Sequence, residues 1–239
     1  MAAFDCAVAL GVDGLELDVC LSRDGIAVVH HDASLERTTN ATGPLGARSA
    51  DELSRVDAAY RFQAARGFPL RGRGIGVPRL RDVLGRHPGT PIIVELKGRD
   101  VALAEAVVRD VRATGAIGRV CLGAFSWRLL GAARRLEPRL ATSAAREEVR
   151  LALYASWLGL SRSRTSYRAY QVPEFAGRIR VVSRRFVRLA HRANLPVQVW
   201  TVDEPGAMRR LLDWGVDALI SDRPDVALRV RDDWHRPTR

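Results

Sequence analysis

The sequence predicts an α/β protein of the TIM-type (β/α)8 barrel class. Three observations lead there. Short apolar, β-rich runs alternate with helical stretches, the order that builds a parallel sheet through βαβ crossovers. With this many units in one domain, a closed barrel is favoured over an open sheet. The length of 239 residues, 47% of them hydrophobic, suits a single barrel-sized domain with a sizeable core.

The strand-like runs are Gly14–Leu21, Ala27–His31, Pro91–Leu96, Arg119–Phe125, Arg180–Ser183, Pro196–Val202 and Asp217–Ser221. Helical spacing of apolar residues marks Val101–Thr114, Trp127–Leu136, Arg146–Leu158, Arg184–Ala193 and Pro205–Trp214. One segment, residues 33–89, breaks the rhythm. It is rich in Gly, Arg, Thr and Ser, and it predicts a functional insertion within one domain of residues 1–239. Inside it, Ser49-Ala50-Asp51-Glu52 is a plausible helix N-cap, and a short helix is expected after Val77-Pro78-Arg79-Leu80. The polar tail Arg229–Arg239 is expected to fray.

The net charge is +11. Of 38 basic residues one is lysine, Lys97, and the remaining 37 are arginines scattered along the chain. Scatter of this kind argues against a specific nucleic-acid footprint and leaves a general attraction to anionic substrates or surfaces. Cys6, Cys20 and Cys121 form no Cys-x-x-Cys motif and are expected as small buried hydrophobes in a reducing compartment. No run of about 18 apolar residues predicts a membrane span, and no secretory signal is visible, so a cytoplasmic location is expected. Oligomeric state is not readable. A Gly-x-Ser-x-Gly elbow is absent, which excludes a serine-hydrolase reading.

Three constellations carry chemistry. In Leu15-Glu16-Leu17-Asp18-Val19, residues two apart on a strand face the same side, so Glu16 and Asp18 project together. Two carboxylates on an otherwise apolar strand point to a divalent cation; the alternative is a strand-end pair with an arginine. In Val28-Val29-His30-His31-Asp32, imidazoles sit at a strand exit, where barrel active sites lie; a structural histidine is the alternative. In Ile93-Val94-Glu95-Leu96-Lys97, a third carboxylate shares a face with the chain's lone lysine, and a compact ammonium is not interchangeable with a guanidinium. Trp200, near the exit of Pro196–Val202, either lines a pocket or packs the core.

These pieces, in order, resemble the glycerophosphodiester phosphodiesterase family. The matching residues are Glu16-Leu17-Asp18-Val19, Asp24-Gly25, His31-Asp32, Leu35, Arg37-Thr38-Thr39, Pro78-Arg79-Leu80, Glu95-Leu96-Lys97, Val199-Trp200-Thr201 and Ser221-Asp222-Arg223-Pro224. The resemblance covers essentially the whole chain. It implies metal-dependent hydrolysis of glycerophosphodiesters to glycerol 3-phosphate and an alcohol, with Mg²⁺ or Ca²⁺ as cofactor. Residue by residue it implies Glu16, Asp18 and Glu95 as metal ligands and His31 as a catalytic acid–base. Lys97 would stand near the phosphate, Trp200 would form a wall of the glycerol pocket, and the insertion would cap the site. His30 falls on a variable position.

The resemblance also brings one departure. The family opens with a strand ending in His-Arg-Gly, which supplies a second histidine and a phosphate-gripping arginine. No His-Arg-Gly occurs in this sequence, and Met1-Ala2-Ala3-Phe4 aligns with the first helix. The expectation is therefore a barrel lacking strand 1 in this chain, with an internal or misassigned start. The alternative expectation is an impaired member that binds metal and phosphate ligands without turnover.

Overall fold

The computed structural model describes residues 1–160 and 165–235. The chain divides into two compact units, one made of Met1–Val8 and Asp13–Ala141, the other of Ala9–Val12 and the chain from Thr142 onward.

The first unit begins in helix α1 (Ala2–Leu10) and continues into strands β1 (Leu15–Leu21) and β2 (Ala27–Val29). Helices α2 (Ala50–Ser54) and α3 (Leu80–Arg86) precede β3 (Ile92–Leu96). Then follow α4 (Val101–Ala113), β4 (Val120–Gly123), α5 (Trp127–Leu136) and β5 (Ala141–Thr142), at whose first residue the unit ends. The sheet order is β2-β1-β3-β4-β5. Strands β1, β3 and β4 are parallel, with Leu15 opposite Ile92 and Ile92 opposite Val120.

Alternation sets the two faces of these strands. Leu15, Leu17 and Val19 of β1 and Ile92, Val94 and Leu96 of β3 are buried, while Glu16, Asp18 and Glu95 between them are only partly covered. The buried side packs under α4, whose Leu103, Val107 and Val111 lie fully inside. Short polar side chains set the helix starts. Asp100 accepts from the Ala102 N–H at 2.9 Å, and Ser49 forms a capping box with Glu52 at the start of α2, as its sequence predicts. Leu35, Leu45, Leu53 and Val77 from residues 33–89 form a small core of their own with Cys20 and Val28. Gly76 passes so close to Ser54 that an added Cβ would stand 1.8 Å from its carbonyl oxygen, so no side chain fits there.

Two ion clusters tie the helical layer together. Asp5 on α1 accepts from Arg86 Nε at 2.6 Å and Nη2 at 3.0 Å, with buried His87 alongside. Glu137, which caps the end of α5, is buried and accepts from Arg112 Nε of α4 and Arg139 Nε, each at 2.9 Å. Arg139 first and then Arg112 hold the Glu137 carboxyl at about 2, below its ordinary 4.5. A depressed carboxylate stabilises the fold above its ordinary value and loses that contribution as pH falls toward the folded one. Glu137→Gln is therefore expected to lower Tm at pH 7, with the difference from wild type closing between pH 4.5 and about pH 2. Thermal melts across that range check it.

The second unit contains α6 (Arg146–Trp157), β6 (Tyr170–Pro173), β7 (Phe175–Ala176), β8 (Ile179–Arg180) and α7 (Arg184–Arg192). It ends with β9 (Val197–Trp200), α8 (Pro205–Asp213), β10 (Ala218–Leu219) and α9 (Pro224–His235). Its main sheet is parallel, in the order β10-β9-β6, and β7 with β8 forms a separate antiparallel hairpin. Tyr170, Val172, Phe186, Val199, Met208 and Leu211 belong to one core.

Several strand expectations are corrected. Ala27–His31 supplies only Ala27–Val29, paired antiparallel to β1. The connection Ser22–Ile26, closed by the Ser22 N–H to Ile26 carbonyl bond and by Gly25 at φ +73°, is a tight turn too short for a parallel crossover. Arg180–Ser183 is not a sheet strand: Ile179–Arg180 closes the β7–β8 hairpin, and Ser183 caps α7 by accepting from the Phe186 N–H at 3.2 Å. β5 in the first sheet, and β6, which is parallel to β9, are short strands that no strong β-rich run marks. The tail does not fray as far as residue 235, where α9 ends; residues 236–239 lie outside the described residues. Of the three cysteines, Cys20 is buried as expected, but Cys6 is exposed and Cys121 partly so.

Candidate active site

Strand register brings the sequence-predicted groups of the first unit together. Asp18 on β1 is the Cα partner of Glu95 on β3, and Glu16 is the partner of Ile93, two residue pairs back. Paired residues on neighbouring strands share a face about 5 Å apart, so the three carboxylates line one patch. Lys97 follows β3 on that face, and its Nζ stands 3.0 Å from Asp18 Oδ1. Glu95 pairs with Gly123 on β4, so Phe125 comes level with Lys97, whose Nζ lies 5.9 Å from the ring centre.

The β1–β2 hairpin delivers the histidines. The His30 N–H donates to the Asp18 carbonyl at 3.0 Å, extending the ladder just past β2. The Cys20 thiol donates to the His30 carbonyl at 3.3 Å, and burial first, then Asp18, pushes that thiol up to about 11. It is an inert strut, not a thiolate nucleophile. The two rings do different things. His30 is buried, with Nδ1 2.9 Å from the Asp32 carbonyl and Nε2 3.3 Å from Thr38 Oγ1, so both nitrogens are occupied in the scaffold. His31 is exposed, and its Nδ1 lies 2.6 Å from Asp32 Oδ1. Asp32 is itself clamped by Arg37, Nε at 2.5 Å to Oδ2 and Nη2 at 3.1 Å to Oδ1. Arg37 first and then His31 hold the Asp32 carboxyl down at about 2, so it is ionised at any neutral pH. An ionised Asp32 accepts the Nδ1 proton and leaves Nε2 of His31 to exchange protons.

Glu95 is electrostatically the unusual member. Part of its surface is exposed, yet enough protein surrounds the carboxyl that burial pushes it up to about 7. Lys97 and His31 oppose that rise, and Asp18 adds to it. Among the described residues, no three His, Cys, Asp or Glu side chains converge closely enough to enclose one ion, and the cation facing Asp18 is Lys97. The donor chemistry nonetheless fits a hard divalent cation: carboxylate oxygens on adjacent strands, one of them desolvated.

Trp200 belongs to the second unit, where it is the last residue of β9 and partly exposed. Its face of the sheet also carries Gln198 and Gln171, whose amides bond at 3.0 Å, a polar lining that the sequence reading did not single out. The Asp32–Arg37 clamp shows in the sequence only as part of a motif. Its signal was the adjacency of His31 and Asp32, with an arginine five residues on.

A histidine held by an ionised carboxylate, beside a lysine and a patch of acids on parallel strands, is equipment for hydrolysing an anionic ester, and comparison with known proteins sets the chain among the phosphoric diester hydrolases. The glycerophosphoryl diester phosphodiesterase family matches residues 1–226. The chain is 33% identical to the probable glycerophosphodiester phosphodiesterase 2 of Mycobacterium tuberculosis, over 98% of this chain and 86% of that one. It is 28% identical to the crystal structure of an Agrobacterium tumefaciens glycerophosphodiester phosphodiesterase, with a TM-score of 0.75 over 97% and 91% of the two chains. An Oleispira antarctica phosphodiesterase, solved with the product sn-glycerol-3-phosphate, shares the fold with a TM-score of 0.73 at 22% identity, covering 97% and 90%. The chain belongs to the glycerophosphoryl diester phosphodiesterase family, and the TIM-type barrel class expected from its sequence holds.

Proposed function

We propose that the chain hydrolyses glycerophosphodiesters to glycerol 3-phosphate and an alcohol, with Mg²⁺ or Ca²⁺ held by Glu16, Asp18 and Glu95. Family membership supports the substrate class. The observation that carries the metal is Glu95, a carboxyl whose charge is disfavoured by burial and whose register partner is a second acid. A bound divalent ion would supply positive charge to the non-bridging phosphate oxygens.

The chain's own residues have separable parts. Lys97 adds a compact positive charge on the same face, suited to an oxygen that gains charge as the P–O bond breaks. His31 transfers one proton at Nε2, to or from the attacking or leaving oxygen, while Asp32 fixes its tautomer and Arg37 fixes Asp32. The family resemblance, and not any placement in the fold, would give Trp200 the part of an aromatic wall for a glycerol moiety, and would make residues 1–239 one domain with an insertion at about residues 33–89.

The test is product identity. Glycerophosphocholine and glycerophosphoethanolamine are offered in turn, with glycerol 3-phosphate read by a coupled dehydrogenase. Glycerol 3-phosphate from at least one of them is expected, and a phosphorylated alcohol in its place would overturn the reading. Lys97→Met is expected to lower kcat/KM by about 10²-fold to 10³-fold, the usual scale for one charge-stabilising donor, and Lys97→Arg is expected to recover little of it.

A further inference from the structure

We propose that the outer face of α6 is a docking surface for an anionic lipid membrane. A helix on the surface of a globular protein buries one apolar stripe and shows polar residues elsewhere. Helix α6 departs from this in its second half. Ala152, Leu153 and Ser156 supply the buried side. The outward side carries Leu151, Tyr154, Trp157 and Leu158, and Leu160 follows just past the helix end. Leu158 is 75% exposed, Leu160 60%, and Leu151 and Trp157 each 54%. Tyr154 and Trp157 stack edge to face with ring centres 5.3 Å apart, a rigid pair on the surface. Single exposed apolar residues are ordinary, but five within ten positions form a contiguous ridge, and such a ridge marks an interaction site.

Charge selects the occupant. The neighbouring helix α7 exposes Arg184, Arg185, Arg188 and Arg192 and carries no acid. Arg185 reaches the ridge itself: its Nη2 lies 3.1 Å from where a Cβ on Gly159 would stand, at the left-handed turn between Leu158 and Leu160. A second copy of the chain packed across the ridge would set one arginine row against another. An anionic lipid surface instead meets the arginines with opposite charge and takes up the leucines. Tyr and Trp are the side chains suited to the water–lipid boundary. The inference concerns binding alone, so it stands or falls separately from turnover.

The full chain is sedimented with phosphatidylcholine vesicles and with vesicles in which about a third of the lipid is phosphatidylglycerol, enough to set up a negative surface potential. Expected is binding to the anionic vesicles, with little to the zwitterionic ones. The double variant Trp157→Ser/Leu158→Ser is expected to bind about tenfold more weakly, because two interfacial anchors are gone. Both positions are exposed, and an unchanged thermal melt confirms the fold. Should that variant melt early, Arg185→Ala/Arg188→Ala provides the second reading, with an expected loss of about tenfold. No sedimentation of wild type, binding unchanged by either variant, or a dimer that the serine variant dissolves would each overturn the proposal.

Discussion

Glu95→Gln is expected to lower kcat by at least about 10³-fold while leaving Tm unchanged or raised. An amide keeps the shape of the side chain but cannot offer a second anionic oxygen to a hard cation, and loss of several kcal/mol of charge stabilisation is a factor of this size. Stability moves the other way because the wild-type carboxyl is already disfavoured by its surroundings, which push it to about 7. A neutral isostere has no charge to desolvate. The pair of measurements, turnover and melting, separates a chemical role from a structural one. A purely structural Glu95, serving as partner to Lys97, would lose both together.

His31→Ala is the second large loss, expected at about 10²-fold to 10⁴-fold in kcat, the range for removal of one positioned proton-transfer group. His30→Ala should instead act on the fold. Its ring is buried against the Asp32 carbonyl and Thr38 hydroxyl, and it faces no solvent from which a substrate would come. Asp32→Asn should fall near His31→Ala in rate, because an amide lets Nδ1 lose its proton donor role and frees the wrong tautomer. The three variants together assign proton transfer to one imidazole. Added imidazole checks it: it should restore part of the rate to His31→Ala and none to His30→Ala.

The sequence made the first-unit site legible because strand periodicity is strict. Glu16 and Asp18 could be put on one face by counting twos, and Glu95 and Lys97 likewise. What counting could not supply was register. Asp18 meets Glu95 because β1 and β3 align Leu15 with Ile92, a long-range fact of packing. The hairpin was misread for a related reason: Ala27–Val29 is as apolar as a barrel strand, and only the tight turn before it dictates antiparallel pairing. Strands of two residues such as β5 leave too short a run for any periodicity. Helices fared better. Apolar spacing placed α4, α5, α7 and α8 within a residue or two, since each is several turns long and buries one face. The clamp of Asp32 by Arg37 joins residues near in sequence, yet its meaning depends on the His31 ring that Asp32 orients, and that is a matter of side-chain direction.

The exposed apolar ridge of α6 was not legible in the sequence. The run Leu151-Ala152-Leu153-Tyr154-Ala155-Ser156-Trp157-Leu158 was read as a helix, and helical spacing alone does not say which stripe is covered. Among the described residues, no helix is long and apolar enough to cross a membrane, so any membrane contact through α6 is made at the surface.

If the carboxylate patch holds a cation, chelation must strip it and stop turnover. Glycerol 3-phosphate release is followed before EDTA, after EDTA, and after excess Mg²⁺ or Ca²⁺ is returned. A fall of at least about 10²-fold in chelator, restored by one of the two ions and not restored in Glu95→Gln, is the predicted result. A rate that EDTA leaves untouched would instead assign Glu16, Asp18 and Glu95 to scaffolding around Lys97.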